Sequence, residues 1–220
     1  MAETRTLPIP AAHREFVVKM DGTEVGREHQ LLAVRVTKAA NRISSARLVY
    51  LDGSASKSDF PLSNADTFAP GKSVEILAGG SDSPVSLFKG VVIQQAVKVR
   101  ARVAPQLVVE CRHKAVKMAV GRRNAYFFEQ PDSDIITTLI QNAGLNGDVD
   151  STSVSHPQQV QFRCTDWDFL VARAEANGRV VLTNDDTVAV KTPALKSQAD
   201  VMLAFGSTIL ELDLQIDLRL

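Results

Sequence analysis

Between Arg14 and Lys117 the apolar residues recur at every second position, in one short run after another, and no stretch there keeps a helical period. Phe16-Val17-Val18-Lys19-Met20 leads into Asp21-Gly22, a dipeptide suited to a two-residue hairpin because both residue types accept positive φ. Leu31 to Thr37 alternates, with Leu32, Val34 and Val36 on one face and Arg35 on the other. Ala46 to Leu51 is a further strand, ended by Asp52-Gly53, and Lys72 to Leu77 is another, ended by Gly79-Gly80-Ser81-Asp82. Val85 to Arg102 is the longest run. In it Val91, Ile93, Gln95, Val97, Val99 and Ala101 share one face, and Gln94, Lys98, Arg100 and Arg102 the other. Pro105 breaks the run and Gln106 to His113 returns as its antiparallel partner. Roughly six to eight strands closed by glycine turns predict an antiparallel barrel or sandwich. Residues 54–70 read as a long loop carrying Phe60, Leu62 and Phe68, with one short turn of helix.

The pattern changes after Lys117. Pro131-Asp132-Ser133-Asp134 opens a helix with acids where the macrodipole favours them. Ile135, Ile136, Leu139, Ile140 and Ala143 form its apolar face and Gly144 ends it. Leu145 to Ser155 is a polar connection, and Val160-Gln161-Phe162-Arg163 alternates as a strand. Thr165 is an N-cap, with Asp168 three residues on in a capping-box-like spacing. Trp167, Leu170, Val171 and Ala174, with Phe169 beside them, make the apolar side of a second helix, which Gly178 stops. Val180 to Thr183, a turn at Asn184-Asp185-Asp186, and Thr187 to Lys191 read as a hairpin. Residues 118–199 therefore predict a small α+β unit with two short helices and a hairpin. The last stretch, Ile209 to Leu220, alternates strictly, with leucine and isoleucine against Glu211, Asp213, Gln215, Asp217 and Arg219. It predicts a strand, one that pairs back into the first barrel because an unpaired strand of this kind invites aggregation.

The totals narrow the function classes. The 220 residues are 45% hydrophobic, enough for one sizeable core or two small ones. Lys+Arg and Asp+Glu number 25 each, so no global field draws the chain to nucleic acid or anionic lipid. No apolar run approaches the ~18 residues of a membrane-spanning helix, and the proline-bearing start lacks the apolar core of a secretory signal. Residues 1–13 read as a flexible arm. Cys111 and Cys164 lie outside any CxxC pair and read as buried free thiols. His13, His29, His113 and His156 are scattered without metal-ligand spacing.

Each candidate chemistry gives way to a structural reading. Gly71-Lys72-Ser73 resembles the end of a phosphate loop, but Asp66 stands where the motif needs glycine, and a strand follows where a helix should. Asp166 and Asp168 lie two apart and do not share a helical face, so capping explains both. Asn184-Asp185-Asp186 lacks the rest of a calcium loop. Lys98, Arg100, Arg102, Arg112, Lys114, Arg122 and Arg123 read as solvated strand faces, since aromatics make up 5% of the chain and none interleave with these charges. Trp167 reads as a core anchor. No catalytic, cofactor-binding or metal-ligating residue is assigned, no cofactor is expected, and the chain is not expected to be an enzyme.

Phe162-Arg163-Cys164-Thr165-Asp166-Trp167-Asp168-Phe169-Leu170, followed by a helix, a glycine and a hairpin, resembles the N-terminal region of VgrG proteins. These are the spike proteins of type VI secretion, related to the baseplate hub proteins of contractile-tailed phages. Phe88-Lys89-Gly90-Val91-Val92 resembles the aromatic-x-Gly strand opening of that family, Pro131 to Gly144 the helix after its first barrel, and Gly206 with the alternating tail its returning strand. The resemblance covers most of the chain from about Arg14. It implies a mainly β fold with an α+β insertion: an antiparallel tail-tube-like β-barrel from residues 14–117 and 200–220, interrupted by the inserted unit of 118–199. It implies a structural hub joining a sixfold tube to a threefold spike, in a type VI system, phage tail or extracellular injection system. The partners it implies are two further copies in a homotrimer, the tail tube protein, a spike or needle, and other baseplate proteins, with no nucleic acid and no membrane span. Such a hub is assembled in the bacterial cytoplasm and expelled on contraction. The family carries a second barrel, which would begin about where this chain ends at Leu220, and a C-terminal needle. A second reading is a carbohydrate- or peptide-binding β module using the 54–70 loop, through Phe60 and Phe68.

Overall fold

The computed structural model describes residues 16–54, 56, 58–79, 84–194, 202–209 and 211–216. They fall into two units, residues 15–193 and a second made of 1–14 with 194–220. The expected arm over residues 1–13 lies outside the described residues.

The larger unit begins with seven strands: β1 (Phe16–Met20), β2 (Thr23–Glu24), β3 (Leu31–Thr37), β4 (Ser45–Leu51), β5 (Ser73–Ala78), β6 (Val85–Arg100) and β7 (Val103–Arg112). They form one sheet in the order β2-β1-β5-β6-β7-β4-β3, and every neighbouring pair is antiparallel. Asp21 and Gly22 both take positive φ, 48° and 83°, as a two-residue hairpin that follows the strand twist requires. The alternation of β4 places Ala46, Leu48 and Tyr50 inward, where Val18, Met20, Val74, Ile76, Phe88, Val92, Leu107, Val109 and Cys111 meet them. Val34 and Val36, on the β3 margin, pack on the same cluster as Val18 from near the other margin. One core touched by both ends of the sheet means that the sheet curls around it in the manner of a barrel. Each fully buried large side chain contributes about 1.5–3 kcal/mol to that closure.

Two bulges correct the single alternation expected for the long strand. The register shifts between Val92 and Gln94 and again between Lys98 and Arg100. Phe88, Gly90 and Val92 face the core by plain alternation before the first shift, whereas Ile93, at that shift, and Val97 and Val99, beyond it, are exposed. An extra residue in one strand flips every side chain after it, and composition alone does not show where it falls. A bulge near Leu31 likewise turns Leu32 outward and brings Leu31 to the core. Gly90 has a backbone reason: a Cβ there would lie 2.3 Å from the Arg112 carbonyl oxygen.

The 54–70 stretch is packed into the barrel. It holds α1 (Pro61–Asn64) and a 3-10 turn, Asp66–Phe68. Phe68 is fully buried with its ring 4.9 Å from that of Tyr50. Asp52 accepts hydrogen bonds from the backbone N–H groups of Gly53, Leu62 and Ser63 and from the Ser63 hydroxyl, which pins α1 to the end of β4.

After a 3-10 turn at Lys114–Ala119, the chain forms β8 (Arg123–Pro131), α2 (Asp132–Asn142), β9 (Asn146–Val149), β10 (Ser155–Cys164), α3 (Asp166–Ala176), β11 (Val180–Asn184) and β12 (Thr187–Lys191). β8 and β10 make an antiparallel ribbon, and β9 joins β12 in parallel beside the β11–β12 hairpin. The two helices begin and end where the sequence indicates. The Thr165 hydroxyl accepts from Asp168 N–H at 3.0 Å, and Gly144 and Gly178 take φ of 71° and 65°. Ile135, Ile136, Leu139, Ile140, Trp167, Phe169, Leu170, Val181, Val188 and Val190 form a second core. β9 lies in the stretch read from sequence as a polar connection, and β8 in one to which no element was assigned.

The two cores meet at the turn between β3 and β4. Asn41 holds φ of 60°, a left-handed conformation that asparagine tolerates. Its backbone N–H donates to the Val181 carbonyl, its side-chain oxygen accepts from Val181 N–H, and its amide donates to Glu175, each at 2.8 Å. Ser44 and Thr183 exchange three further hydrogen bonds.

In the smaller unit Phe205 and Ile209 form an isolated bridge around Gly206, and the Ala204 carbonyl accepts from the N–H groups of Ser207, Thr208 and Ile209. The strand expected over Ile209–Leu220 is not formed at 211–216, which are exposed and without a ladder among the described residues; residues 210 and 217–220 lie outside them. Alternation supplies an apolar side, but a strand also needs a neighbour to pair with.

Candidate interaction surface

The residues that sequence reading weighed for chemistry take structural positions. Asp166 is buried, accepts from the Gln161 side-chain amide at 2.9 Å and lies 3.6 Å from Arg123. Asp168 supplies the N–H of the Thr165 cap. Trp167 packs into the second core. Asp185 and Asp186 form the β11–β12 turn, where Asp185 accepts from the Ser86 hydroxyl and Asp186 pairs with Lys114 at 2.6 Å. Cys111 is buried and free, and burial pushes its thiol pKa up to about 12; Cys164 is free and half-buried. Among the described residues no three carboxylate, histidine or cysteine side chains gather as a metal site would require.

Sequence reading did not find the polar cluster around Asp132. This carboxylate is almost fully buried and holds Arg173 by two hydrogen bonds, 2.6 and 2.8 Å, with Asn177 at 2.8 Å and His156 at 3.1 Å. Burial alone would raise its pKa. The Arg173 and Asn177 hydrogen bonds, the Arg173 charge and the His156 contact outweigh it and lower the value to about 2. The cluster ties the start of α2 to the end of α3, so its position is architectural.

A second feature, also missed, is a surface. The register pairs Tyr126 with Val160, Phe127 with Gln159 and Phe128 with Gln158. Strand alternation then puts Tyr126, Phe128, Val160 and Phe162 on one side of the β8–β10 ribbon. They are 62%, 59%, 41% and 69% exposed, which for four large apolar side chains on one face marks a contact surface. The other side carries Phe127, stacked on Phe169 at 5.9 Å, and Gln161, which is buried. Arg122 and Arg163 line a recess with Asn124 at one end of the ribbon. Aromatic and basic residues are thus brought together, which the chain order of the charges conceals. Phe162-Arg163 sits beside Arg122, Arg123 and Tyr126 only through the β8–β10 register.

The fold has counterparts among solved structures. The 43 kDa tail protein of prophage MuSo2 from Shewanella oneidensis matches with a TM-score of 0.66 and 16% identity, over 88% of this chain and 57% of that one. The E. coli c3393 protein, described as a component of the type VI secretion system, matches at 0.56 and 11% identity over 79% of this chain and 48% of its own. A lidded Francisella PdpA–VgrG complex matches at 0.53 and 10% identity over 86% of this chain and 31% of that one. The chain therefore spans about half, or less, of the structures it matches, and it has the β-rich fold of phage tail and VgrG proteins, as the sequence motifs implied. Residues 11–220 match the family described as Alg8 N-terminal domain, and the chain belongs to that family. No curated protein matches it.

Proposed function

We propose that the chain is a structural component of a contractile injection machine, acting as the N-terminal part of a hub that joins a sixfold tube to a threefold spike. The observation that carries this reading is the likeness to tail and VgrG proteins over most of the chain, 88% in the MuSo2 case. The proposal keeps the division into a barrel of 14–117 with 200–220 and an insertion of 118–199. Its partners are two further copies in a homotrimer, the tail tube protein, a spike or needle and other baseplate proteins. It is assembled in the cytoplasm and leaves the cell on contraction. No helix among the described residues is long and apolar enough to cross a membrane. Its work is mechanical and involves no turnover. The buried state of Phe68 weighs against a binding module that offers this ring to a ligand. The test is composition: the chain should copurify at fixed stoichiometry with sheathed particles, and its deletion should leave tubes without completed baseplates. Particles that assemble and fire normally without it would overturn the proposal.

A further inference from the structure

We propose that the outward face of the β8–β10 ribbon docks an extended segment of a partner protein in which apolar and acidic side chains alternate. The segment adds as a strand along the ribbon's edge, its apolar side chains continuing the face of Tyr126, Phe128, Val160 and Phe162 and the carboxylate at one end meeting the arginines there. Three observations converge. Among the described residues β8 and β10 each have one ladder neighbour, so each presents an edge whose N–H and C=O groups can pair with another strand. The ribbon is braced from behind by Phe127 on Phe169, which holds the aromatic face in place before a partner arrives. Exposed arginines gather at one end: Arg122 and Arg163 line a recess of about 490 Å³ with Asn124, and Arg123, 63% exposed, reaches Asp166 only at 3.6 Å.

The strand face itself carries Asn124, Tyr126 and Phe128 on β8 and Gln158, Val160 and Phe162 on β10. This distribution also selects between macromolecules. A single-stranded nucleic acid needs cations along the whole track of its backbone, and this face has them at one end only. A peptide strand takes its affinity from the ladder and the apolar face, and needs the cations only to fix its direction. The surface stands on the ribbon's own geometry and does not depend on the assembly proposed above.

The probe is a fluorescein-labelled peptide of about twelve residues alternating valine and glutamate, enough to span the ribbon, titrated with the whole chain and followed by fluorescence anisotropy. Saturable binding that weakens with added salt is expected. Tyr126→Ser with Phe162→Ser should weaken it at least about tenfold while the circular dichroism spectrum and melting temperature stay unchanged. Arg122→Glu with Arg163→Glu should lose the valine–glutamate peptide and gain a valine–lysine one. Absence of saturable binding, equal binding by the serine variant, an unaltered charge preference, or tighter binding of an oligo-dT strand than of the peptide would each overturn the proposal.

Discussion

Asp132 shows how one side chain can hold a small domain together. Its carboxylate spends its hydrogen-bonding capacity on Arg173, Asn177 and His156, so α2, α3 and β10 are joined through a single group. Asp132→Ala leaves Arg173 facing a site built for a charge, and a loss of about 3–5 kcal/mol is expected in urea denaturation. The same group sets an acid limit. Its pKa is held at about 2, against an ordinary 3.8, so the folded state favours the ionised form. The stability this adds is complete above pH ~4 and is lost as pH falls through about 2, because the unfolded chain binds the proton first. Melting temperatures of Asp132→Asn should show a flatter acid limb than the parent over that window.

His113 acts at milder pH. It is buried beside the β11–β12 turn, and its Nδ1 accepts from Ala115 N–H at 3.0 Å. Burial pushes its pKa below the ordinary 6.5, and Lys114 adds to this, while Asp185 and Asp186 pull the other way without reversing it. A depressed folded pKa makes this stability present above pH 6.5 and lost as pH falls below it. His113→Asn should therefore flatten the slope of melting temperature as pH falls below 6.5.

At the scale of elements, backbone proximity and core filling decide what is tolerated. Gly90 lies where β6 and β7 come so close that any Cβ meets the Arg112 carbonyl. Gly90→Ala should cost about 1–3 kcal/mol as overpacking, seen as a lower urea midpoint with an unchanged slope. Leu170, fully buried against α2 and the β11–β12 hairpin, should cost about 2–5 kcal/mol when cut to alanine; an unaltered thermal melt would contradict its burial. The elements that sequence reading located are those with chemical punctuation: α3 between Thr165 and Gly178, β1 before Asp21-Gly22, and the β11–β12 hairpin around Asp185, which takes φ of 48°. β8 was missed because its inward residues, Ala125 and Phe127, are flanked by equally apolar outward ones, so Ala125-Tyr126-Phe127-Phe128 shows no alternation. The same outward aromatics make the surface, whose two halves lie more than thirty residues apart and meet only through pairing. The facing of β6 was misread because its inward residues, Phe88, Gly90 and Val92, alternate with Val91 and Ile93, which are equally apolar but belong to the other side.

For the larger unit as a whole, the decisive feature is the junction between its two cores. The antiparallel β-rich class was legible from period-two runs, and the separate α+β segment from the change of period after Lys117. The way they lock was not legible, because it depends on a turn whose polar residues look like any other loop. Asn41→Ala removes two side-chain hydrogen bonds and leaves a residue that resists φ of 60°. A loss of about 1–3 kcal/mol is expected, together with faster hydrogen exchange at Val181 in a core that Asn41 does not enter.

That junction also says how a pull on the chain would be shared. The Asn41 and Ser44 bonds grip the β11–β12 hairpin from the barrel side, across 139 or 140 residues of sequence between each bonded pair. A tension drawing the two cores apart meets these bonds together with the Lys114–Asp186 and Ser86–Asp185 contacts on the same hairpin. They resist as a group, and the cores between them are shielded from strain until the group gives way. In a single-molecule stretching experiment the first rupture should therefore be the parting of the cores, with each still folded, and Asn41→Ala should lower the force of that event alone.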